Sequence, residues 1–385
     1  MYNGLVLVNK PTDWTSFDVI AKLRGKFGTR KIGHTGTLDP LATGVLVLCV
    51  GKFTKLSDYF MHQNKTYIAE LEFGKTSDTQ DILGKVKNTN YNEQIAKEKI
   101  ENVIKNFIGK IKQTPPMYSA IKINGQKLCD LARKGIEIER EQREVKILDI
   151  RIIKSTSNSA KIEVTCSSGT YIRTLIHDIG QELGCGAVMT SLCRTKNGEF
   201  DINDCIDIED VDENSLRPII FDTSLSLPFP TSLCIGKFDG VHNGHKEIIK
   251  QVTESAYVPT CLIIENDDSK ILSEIKRQEK LHKLGIDAII YQNLNEIKNI
   301  EYDVFFEEYL YNKLHCRELT VGFNFFFGKN RQGDITKLQE LCKKFNVKLN
   351  IIDAVLFDKK PISSTFLKKL SNTDETFLEN IVKNY

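Results

Sequence analysis

Residues 33–44 of this 385-residue chain, GHTGTLDPLATG, set His34, Thr37 and Asp39 among the glycines Gly33, Gly36 and Gly44. Glycine lets backbone come close to a ligand. Pro40 restricts Asp39 to extended geometry and pre-sets a turn, so the carboxylate sits on a presented loop. Such a carboxylate can attack an electrophilic carbon or stabilise positive charge on it. The competing reading is an Asx turn in which Asp39 only caps loop amides. A second cluster, GKFDGVHNGH at 236–245, follows an apolar run and opens a helical one. His242 and His245 stand three apart, with Gly244 between them. Two imidazoles at a helix N-terminus can stabilise phosphate as its negative charge grows during transfer. A zinc site lacks an obvious third ligand, and no GxxxxGK[ST] phosphate loop is present.

The elements that must hold these clusters differ in the two parts of the chain. Leu5–Val8 reads as a buried strand and Pro11–Asp13 as a turn. Ser16 is expected to cap a helix over Asp18–Phe27 with Val19, Ile20 and Leu23 on one face. Leu46–Val50 is a strand, and Tyr67–Phe73 alternates with Tyr67, Ala69, Leu71 and Phe73 on one face. Helices are expected at 93–107, 126–134 and 171–183, the last ended by Gly184, with paired strands at 145–153 and 161–166. This mixture is α+β. After the linker-like SLPFP at 226–230 the pattern changes. Strands at 233–235, 261–264, 288–291, 319–321 and 349–352 alternate with helices at 245–256, 271–284, 305–314 and 335–345. That alternation predicts a parallel α/β sheet. Two domains, 1–229 and 230–385, are expected.

Charge divides the chain too. Residues 1–200 carry 30 Lys and Arg against 21 Asp and Glu, 201–230 carry 1 against 8, and the remainder carries 22 against 22. A basic first portion suits an anionic partner, and the acidic run 201–213 reads as a solvated surface. The ten cysteines form no CxxC pair and many sit in apolar runs, as Cys49 does, which reads as buried thiols in a reducing compartment. No run approaches the ~20 apolar residues needed to span a bilayer. A soluble, cytoplasmic and monomeric protein, with no membrane partner, is expected.

Several motifs in order carry a family resemblance. VNKPTDWTS (8–16), GHTGTLDPLATG, KTYIAELEFGKTSDTQD (65–81), QTPPMYSAIKINGQKLCDLARKG (113–135), CSSGTYIRTLIHDIGQELG (166–184) and LCRTKNGEF (192–200) resemble the TruB family of tRNA pseudouridine synthases across nearly all of residues 1–229. The resemblance implies an α+β pseudouridine synthase catalytic domain with a mixed, antiparallel-rich sheet. It implies isomerisation of the uridine at position 55 in the tRNA T-loop, with no metal, organic cofactor or guide RNA. Asp39 would act at the ribose C1′ of a flipped nucleotide, as nucleophile or on the way to a glycal. Arg173 would pair with Asp39, and Tyr67 would form a platform for the base or accept the C5 proton. His34, Thr37, Lys10 and Lys65 would contact RNA, the lysines at phosphates. Many members carry a C-terminal PUA domain; here 217–230 resembles the start of such an extension, which then stops.

The second part, about 231–370, resembles the FMN adenylyltransferase half of bacterial bifunctional riboflavin kinase/FAD synthetase, through GKFDGVHNGH, LTVGFNFFFGKNRQGD (319–334) and ISSTFLKKL (362–370). It implies an α/β Rossmann-like HxGH nucleotidyltransferase domain. Gly236, Phe238, Asp239, His242, Gly244, His245, Asn324, Arg331, Ser363, Ser364, Thr365 and Lys368 would line a site for ATP, Mg and FMN. Departures are clear: Lys237 stands for a usual Asn, IIENDDS (263–269) for Phe-x-Pro-His-Pro, Asn324 and Phe326 for Asp and Arg, and Lys368 for an arginine. Lysine keeps the charge but not the bidentate fork. Three readings follow: an RNA-modifying isomerase with an appended adenylyltransferase-like domain, active or repurposed; a flavin nucleotidyltransferase with an RNA-binding module; or a non-catalytic RNA-binding scaffold.

Overall fold

A computed structural model describes residues 2–91, 94–123, 125–221, 226–266 and 273–353, with the backbone of 356–357 and 360–361. The chain separates into two compact units, one essentially Val6–Ser215 and the other from Leu216 onward.

The first unit is built on a mixed ten-stranded sheet. Its principal strands are β1 (Gly4–Lys10), β2 (Ile32–His34), β3 (Thr43–Val50), β4 (Lys65–Phe73), β5 (Gly109–Gln113), β6 (Arg143–Ser155), β7 (Ser159–Cys166), β8 (Ala187–Asn197) and β9 (Ile206–Asp207). They run in the order β9–β1–β3–β8–β4–β7–β6–β5, and β2 pairs β3. The arm β8–β4–β7–β6–β5 is antiparallel throughout, whereas β3 runs parallel to β8. The period-two pattern expected from Tyr67 onward extends through β4: Lys65, Tyr67, Ala69, Leu71 and Phe73 are buried while the residues between them are partly or fully exposed. On β7, Ala160, Ile162, Val164 and Cys166 do the same, so the two strands present one apolar face.

Three helices cover this sheet: α1 (Ser16–Phe27), α2 (Lys97–Lys105) and α3 (Ile172–Glu182). Ser16 is not the cap of α1. Thr15 is, in a capping box with Asp18: Asp18 N–H donates to Thr15 Oγ1 at 3.1 Å and Thr15 N–H to Asp18 Oδ2 at 2.7 Å. Such a cap contributes about 1 kcal/mol. It also releases Ser16 for work inside the site.

The second unit is a six-stranded, wholly parallel sheet. Its strands are β10 (Ile219–Phe221), β11 (Thr231–Gly236), β12 (Val258–Glu265), β13 (Ala288–Asn293), β14 (Cys316–Gly322) and β15 (Lys348–Ile352). The order β10–β13–β12–β11–β14–β15 reverses direction between β11 and β14, a topological switch point. Helices α4 (Asn243–Thr253), α5 (Glu274–Lys283) and α6 (Ile335–Lys344) connect the strands. The helix expected at 305–314 winds as a π-helix over Phe305–Lys313, with Phe305 and Tyr309 stacked at 5.4 Å. Ile219–Phe221, within the stretch that resembled the start of a C-terminal extension, forms the edge strand of this parallel sheet. All ten cysteines are free thiols. No helix among the described residues is long and apolar enough to cross a membrane.

Gly44 is where β3 meets β8. Its φ is +99°, and a Cβ there would lie 2.2 Å from the carbonyl oxygen of Arg194. The glycine thus serves strand-to-strand approach, not ligand approach. Gly44→Ala combines a disfavoured φ with a backbone clash, so a loss of about 3 kcal/mol is expected in urea unfolding. A loss under ~0.5 kcal/mol, the usual surface range, would show that β3 and β8 are not so tightly apposed.

Candidate active site

Arg173 lies in the first turn of α3 and is 4% exposed, although it carries a full charge. Four of its five N–H donors make hydrogen bonds. Nε donates to Asp39 Oδ2 at 2.9 Å and Nη2 to Asp39 Oδ1 at 3.1 Å, a bidentate pair. Nη2 also reaches the Tyr118 carbonyl at 2.8 Å, and Nη1 the Thr79 carbonyl at 3.0 Å. The buried Asp81 carboxylate stands 3.7 Å from Nη1. Asp81 is itself fixed by Thr79 Oγ1 at 2.6 Å and by the Leu83 amide at 3.0 Å. Three separate segments, at 39, 79–81 and 118, therefore meet on one guanidinium. The Asp39 side chain remains 34% exposed, so the carboxylate is held from behind and open in front. Removing one partner of a buried ion pair costs ~3–5 kcal/mol, which makes this the electrostatic anchor of the site.

The loop carrying Asp39 is braced at alternate residues. His34 Nδ1 accepts the Gly36 amide at 3.3 Å, and Arg194 Nη2 donates to the Gly36 carbonyl at 3.1 Å. Ser16 Oγ accepts from the Leu38 amide at 2.8 Å and donates to the Leu38 carbonyl at 3.2 Å. The Pro40 carbonyl takes the Asp13 amide at 2.9 Å and Lys10 Nζ at 3.3 Å. Behind Asp39 its own carbonyl accepts the Ala42 amide at 3.0 Å, closing the turn. Leu38 is buried and Thr37 is exposed beside it.

Lys10 and Lys65, expected at RNA phosphates, are instead buried and spend their ammonium groups on backbone. Lys10 Nζ donates to the carbonyls of Pro11, Trp14 and Pro40, and Lys65 Nζ to those of Met61 and Gln63. Burial pulls both ammonium groups down to about 8, against the partial opposition of Asp39 at Lys10. In this structure they position the loop and the start of β4.

Tyr67 sits on β4 between Val164 of β7 and Arg194 of β8, in register with both. Its phenol is buried, and burial raises its pKa while Arg194 opposes that rise. Asp39 adds slightly to the rise through its charge. Arg194, 1% exposed, also donates from Nε to the Val45 carbonyl at 2.7 Å. It lies beside His34 too, whose pKa falls through burial first and Arg194 second. Arg194 and Asp81 were not singled out by sequence reasoning. Their signals were an arginine inside an apolar strand (LCR) and an aspartate closing the KTSDTQD motif.

At the second cluster, the carboxyl ends of β11 and β14 flank the switch point, where open α/β sheets bind ligands. Gly236 ends β11, and Asn324 lies two residues beyond β14, on the exposed surface. His242 is the N-cap of α4 and offers no side-chain cap to its first turn, leaving amides for an anion. The His242 and His245 rings stack at 3.8 Å. A Cβ on Gly244 would come within 3.2 Å of the His242 ring, so the glycine permits this fold-back. Burial pulls His242 down to about 4, and burial with the neighbouring His242 holds His245 well below the ordinary histidine range. Neither Nδ1 has a hydrogen-bond partner. Phe238, expected to contact nucleotide, is core: wholly buried, it backs His245 at 4.8 Å. Asp239 is buried as well, and Arg331 is turned onto the Phe326 ring at 4.7 Å. Ser363, Ser364, Thr365 and Lys368 lie outside the described residues. No cluster of three or more metal-ligating side chains occurs among the described residues.

The lowered lysines have a measurable consequence. A lysine with a folded pKa of about 8 and an unfolded one near ~10.4 costs stability below pH ~8. That cost is relieved as pH rises from ~8 to ~10, because the unfolded chain then binds more protons than the native one. Between pH 7.5 and 9.5, Lys65→Met is expected to gain about 1–2 kcal/mol less unfolding free energy than the parent. Equal gains would show that Lys65 is not desolvated.

Residues 24–172 match the model of the TruB family pseudouridylate synthase N-terminal domain, and residues 173–220 that of the tRNA pseudouridylate synthase B C-terminal domain. Residues 226–366 match the FAD synthetase model. A tRNA pseudouridine synthase B of Clostridium tetani is 46% identical over 225 residues, 58% of this chain and 78% of its own length. One from Clostridium perfringens is 41% identical over 286 residues, 73% of this chain and 97% of its own length. A chain in the solved Cbf5-Nop10-Gar1 complex is 26% identical, with a TM-score of 0.43, covering 57% of this chain and 64% of that one. With its bidentate Asp39–Arg173 pair embedded in the matched motifs, this chain belongs to the TruB family of pseudouridylate synthases.

Proposed function

We propose that this protein isomerises uridine to pseudouridine in tRNA, at position 55 of the T-loop. The observation that carries the reading is the open-fronted Asp39 carboxylate clamped by buried Arg173. In the reaction the N1–C1′ bond breaks, the base turns, C5 bonds to C1′, and the proton on C5 is replaced at N1. Asp39 supports this as a carboxylate aimed at C1′, either bonding to it or stabilising its positive character. Arg173 keeps both carboxylate oxygens oriented. Tyr67, with its raised pKa, is a neutral phenol at pH 7, suited to stacking on the turned base and to relaying the C5 proton. The basic first portion supplies backbone contacts, and a T-loop would be read by shape and splayed bases.

Asp39→Asn is expected to abolish pseudouridine formation in a T-arm transcript while leaving RNA binding within a few fold, and Arg173→Lys to lower kcat at least 100-fold because one point charge cannot replace two parallel hydrogen bonds. Turnover by Asp39→Asn would remove the chemical assignment; loss of RNA binding with it would indicate a structural role.

A second reading concerns the other unit. The stacked His242 and His245, whose buried Nδ1 atoms lack hydrogen-bond partners, favour a nucleotide phosphate site at the switch point, with ATP and Mg as donor and FMN as acceptor in an FAD-forming transfer. FAD formation from FMN and ATP is expected to vanish in His245→Ala while pseudouridine formation persists. If the parent forms no FAD, the adenylyl-transfer reading falls and the pseudouridine reading stands.

A further inference from the structure

Arg173 and Arg194 are both almost wholly buried, and their charges are provided for differently. Arg173 has the carboxylates of Asp39 and Asp81 beside it. Arg194, on β8, donates to neutral groups: Nε to the Val45 carbonyl at 2.7 Å and Nη2 to the Gly36 carbonyl at 3.1 Å. Neither carbonyl cancels its charge. Lys10, Lys65 and His34 each hold a proton less readily because of it. The packing there is close: a Cβ on Gly36 would stand 3.4 Å from Arg194 Nη1 and 3.9 Å from Lys65 Cε. A buried charge without a counter-ion is costly, and its field is little screened by salt or water.

That field falls on Tyr67. The two residues stand opposite each other in the β4–β8 ladder, and both are buried. Arg194 opposes the rise in the phenol's pKa through its charge and through a hydrogen-bonding contact. A guanidinium only donates, so in that contact the phenol oxygen accepts and its own O–H is left to donate elsewhere. The same guanidinium holds the Gly36 carbonyl, three residues before Asp39, and so ties the phenol to the loop that carries the carboxylate.

In the isomerisation the electron pair of the N1–C1′ bond leaves with the base. The sugar carbon turns positive and is met by Asp39. The base is an anion until C5 bonds to C1′ and the C5 proton passes to N1. A carboxylate cannot stabilise that second charge, whereas a fixed cation behind the base platform can.

We propose that Arg194 is a positioning residue for this reaction: acting through Tyr67, its unneutralised charge stabilises the negative charge on the displaced base, and its grip on Gly36 keeps that base in line with Asp39. The proposal rests on the reading of Asp39 and Tyr67 given above and adds to it the charge that the departing base meets.

The test uses the full chain in excess over T-arm transcripts carrying either uridine or 5-fluorouridine at the target position, with loss of the target nucleoside followed by chromatography of digests. Fluorine stabilises the base anion, and this nucleoside has no C5 proton, so its loss reports transfer of the base alone. Arg194→Gln, which keeps a donor but no charge, is expected to slow uridine about 100-fold and 5-fluorouridine only about tenfold. Arg194→Lys, which keeps the charge, is expected to stay within about tenfold of the parent on both. The two substrates are compared within each protein, so a lower folded fraction cancels. Equal slowing of both substrates by Arg194→Gln overturns the proposal in favour of a purely structural role. Weaker RNA binding with an unchanged rate at saturation overturns it in favour of a phosphate contact. Absence of conversion by the parent removes the underlying reading and the proposal with it, whereas conversion by the parent with equal slowing removes the proposal alone.

Discussion

A carboxylate that acts on a sugar carbon must neither rotate nor lose its orientation, and one buried guanidinium imposes that constraint. Arg173 is almost inaccessible to water, and its charge is tolerated because four hydrogen bonds and two carboxylates surround it. Two of its hydrogen bonds fix the plane of Asp39, two more reach the carbonyls of Thr79 and Tyr118, and Asp81 adds a second negative charge nearby. The environment of Arg173 thus depends on segments far apart in the chain, each of which loses a partner if the arginine moves. This is why a buried charge is compatible with a stable fold here: desolvation is offset by hydrogen bonds and by two nearby carboxylates.

The loop in front of that arginine is governed by the same logic at the level of backbone. Gly36, Leu38 and Pro40 are tied in turn to Arg194 and His34, to Ser16, and to Lys10 and Asp13. A polar loop gains rigidity without adopting regular structure, because its tethers end on strands, on the start of α1 and on the turn before it. Lys10 and Lys65 illustrate what is given up. Their ammonium groups are withdrawn from solvent, at an electrostatic cost seen in their lowered pKa values, to satisfy carbonyls. The second unit arranges its histidine pair by a related device, using a glycine beside His242 and a buried phenylalanine behind His245.

Much of the architecture was legible beforehand. Alternation along 67–73, a strand at 161–166, helices at 18–27 and 171–183, and the strand–helix rhythm after 230 are local patterns, and local patterns reflect which face is buried. The less legible features were side chains with two plausible partners. Thr15 and Ser16 are adjacent and both can cap a helix; only the position of Leu38 makes Ser16 the loop tether. A lysine near a ligand loop reads as a phosphate contact until the carbonyls that surround it are seen. Phe238, expected at the nucleotide site from its place in the motif, is core because its ring is wholly buried.

From the sequence alone came the kinds of groups available: a carboxylate pinned before a proline, a tyrosine on an alternating strand, an arginine at a helix start, and two histidines around a glycine. These follow from residue type and short spacing, which bonding geometry fixes over a few residues. Tertiary structure alone decided which groups met. Asp39 and Arg173 are 134 residues apart, as are many other pairs that never touch. Their union depends on how strands align, and the 2.2 Å constraint at Gly44 shows how little latitude that alignment has.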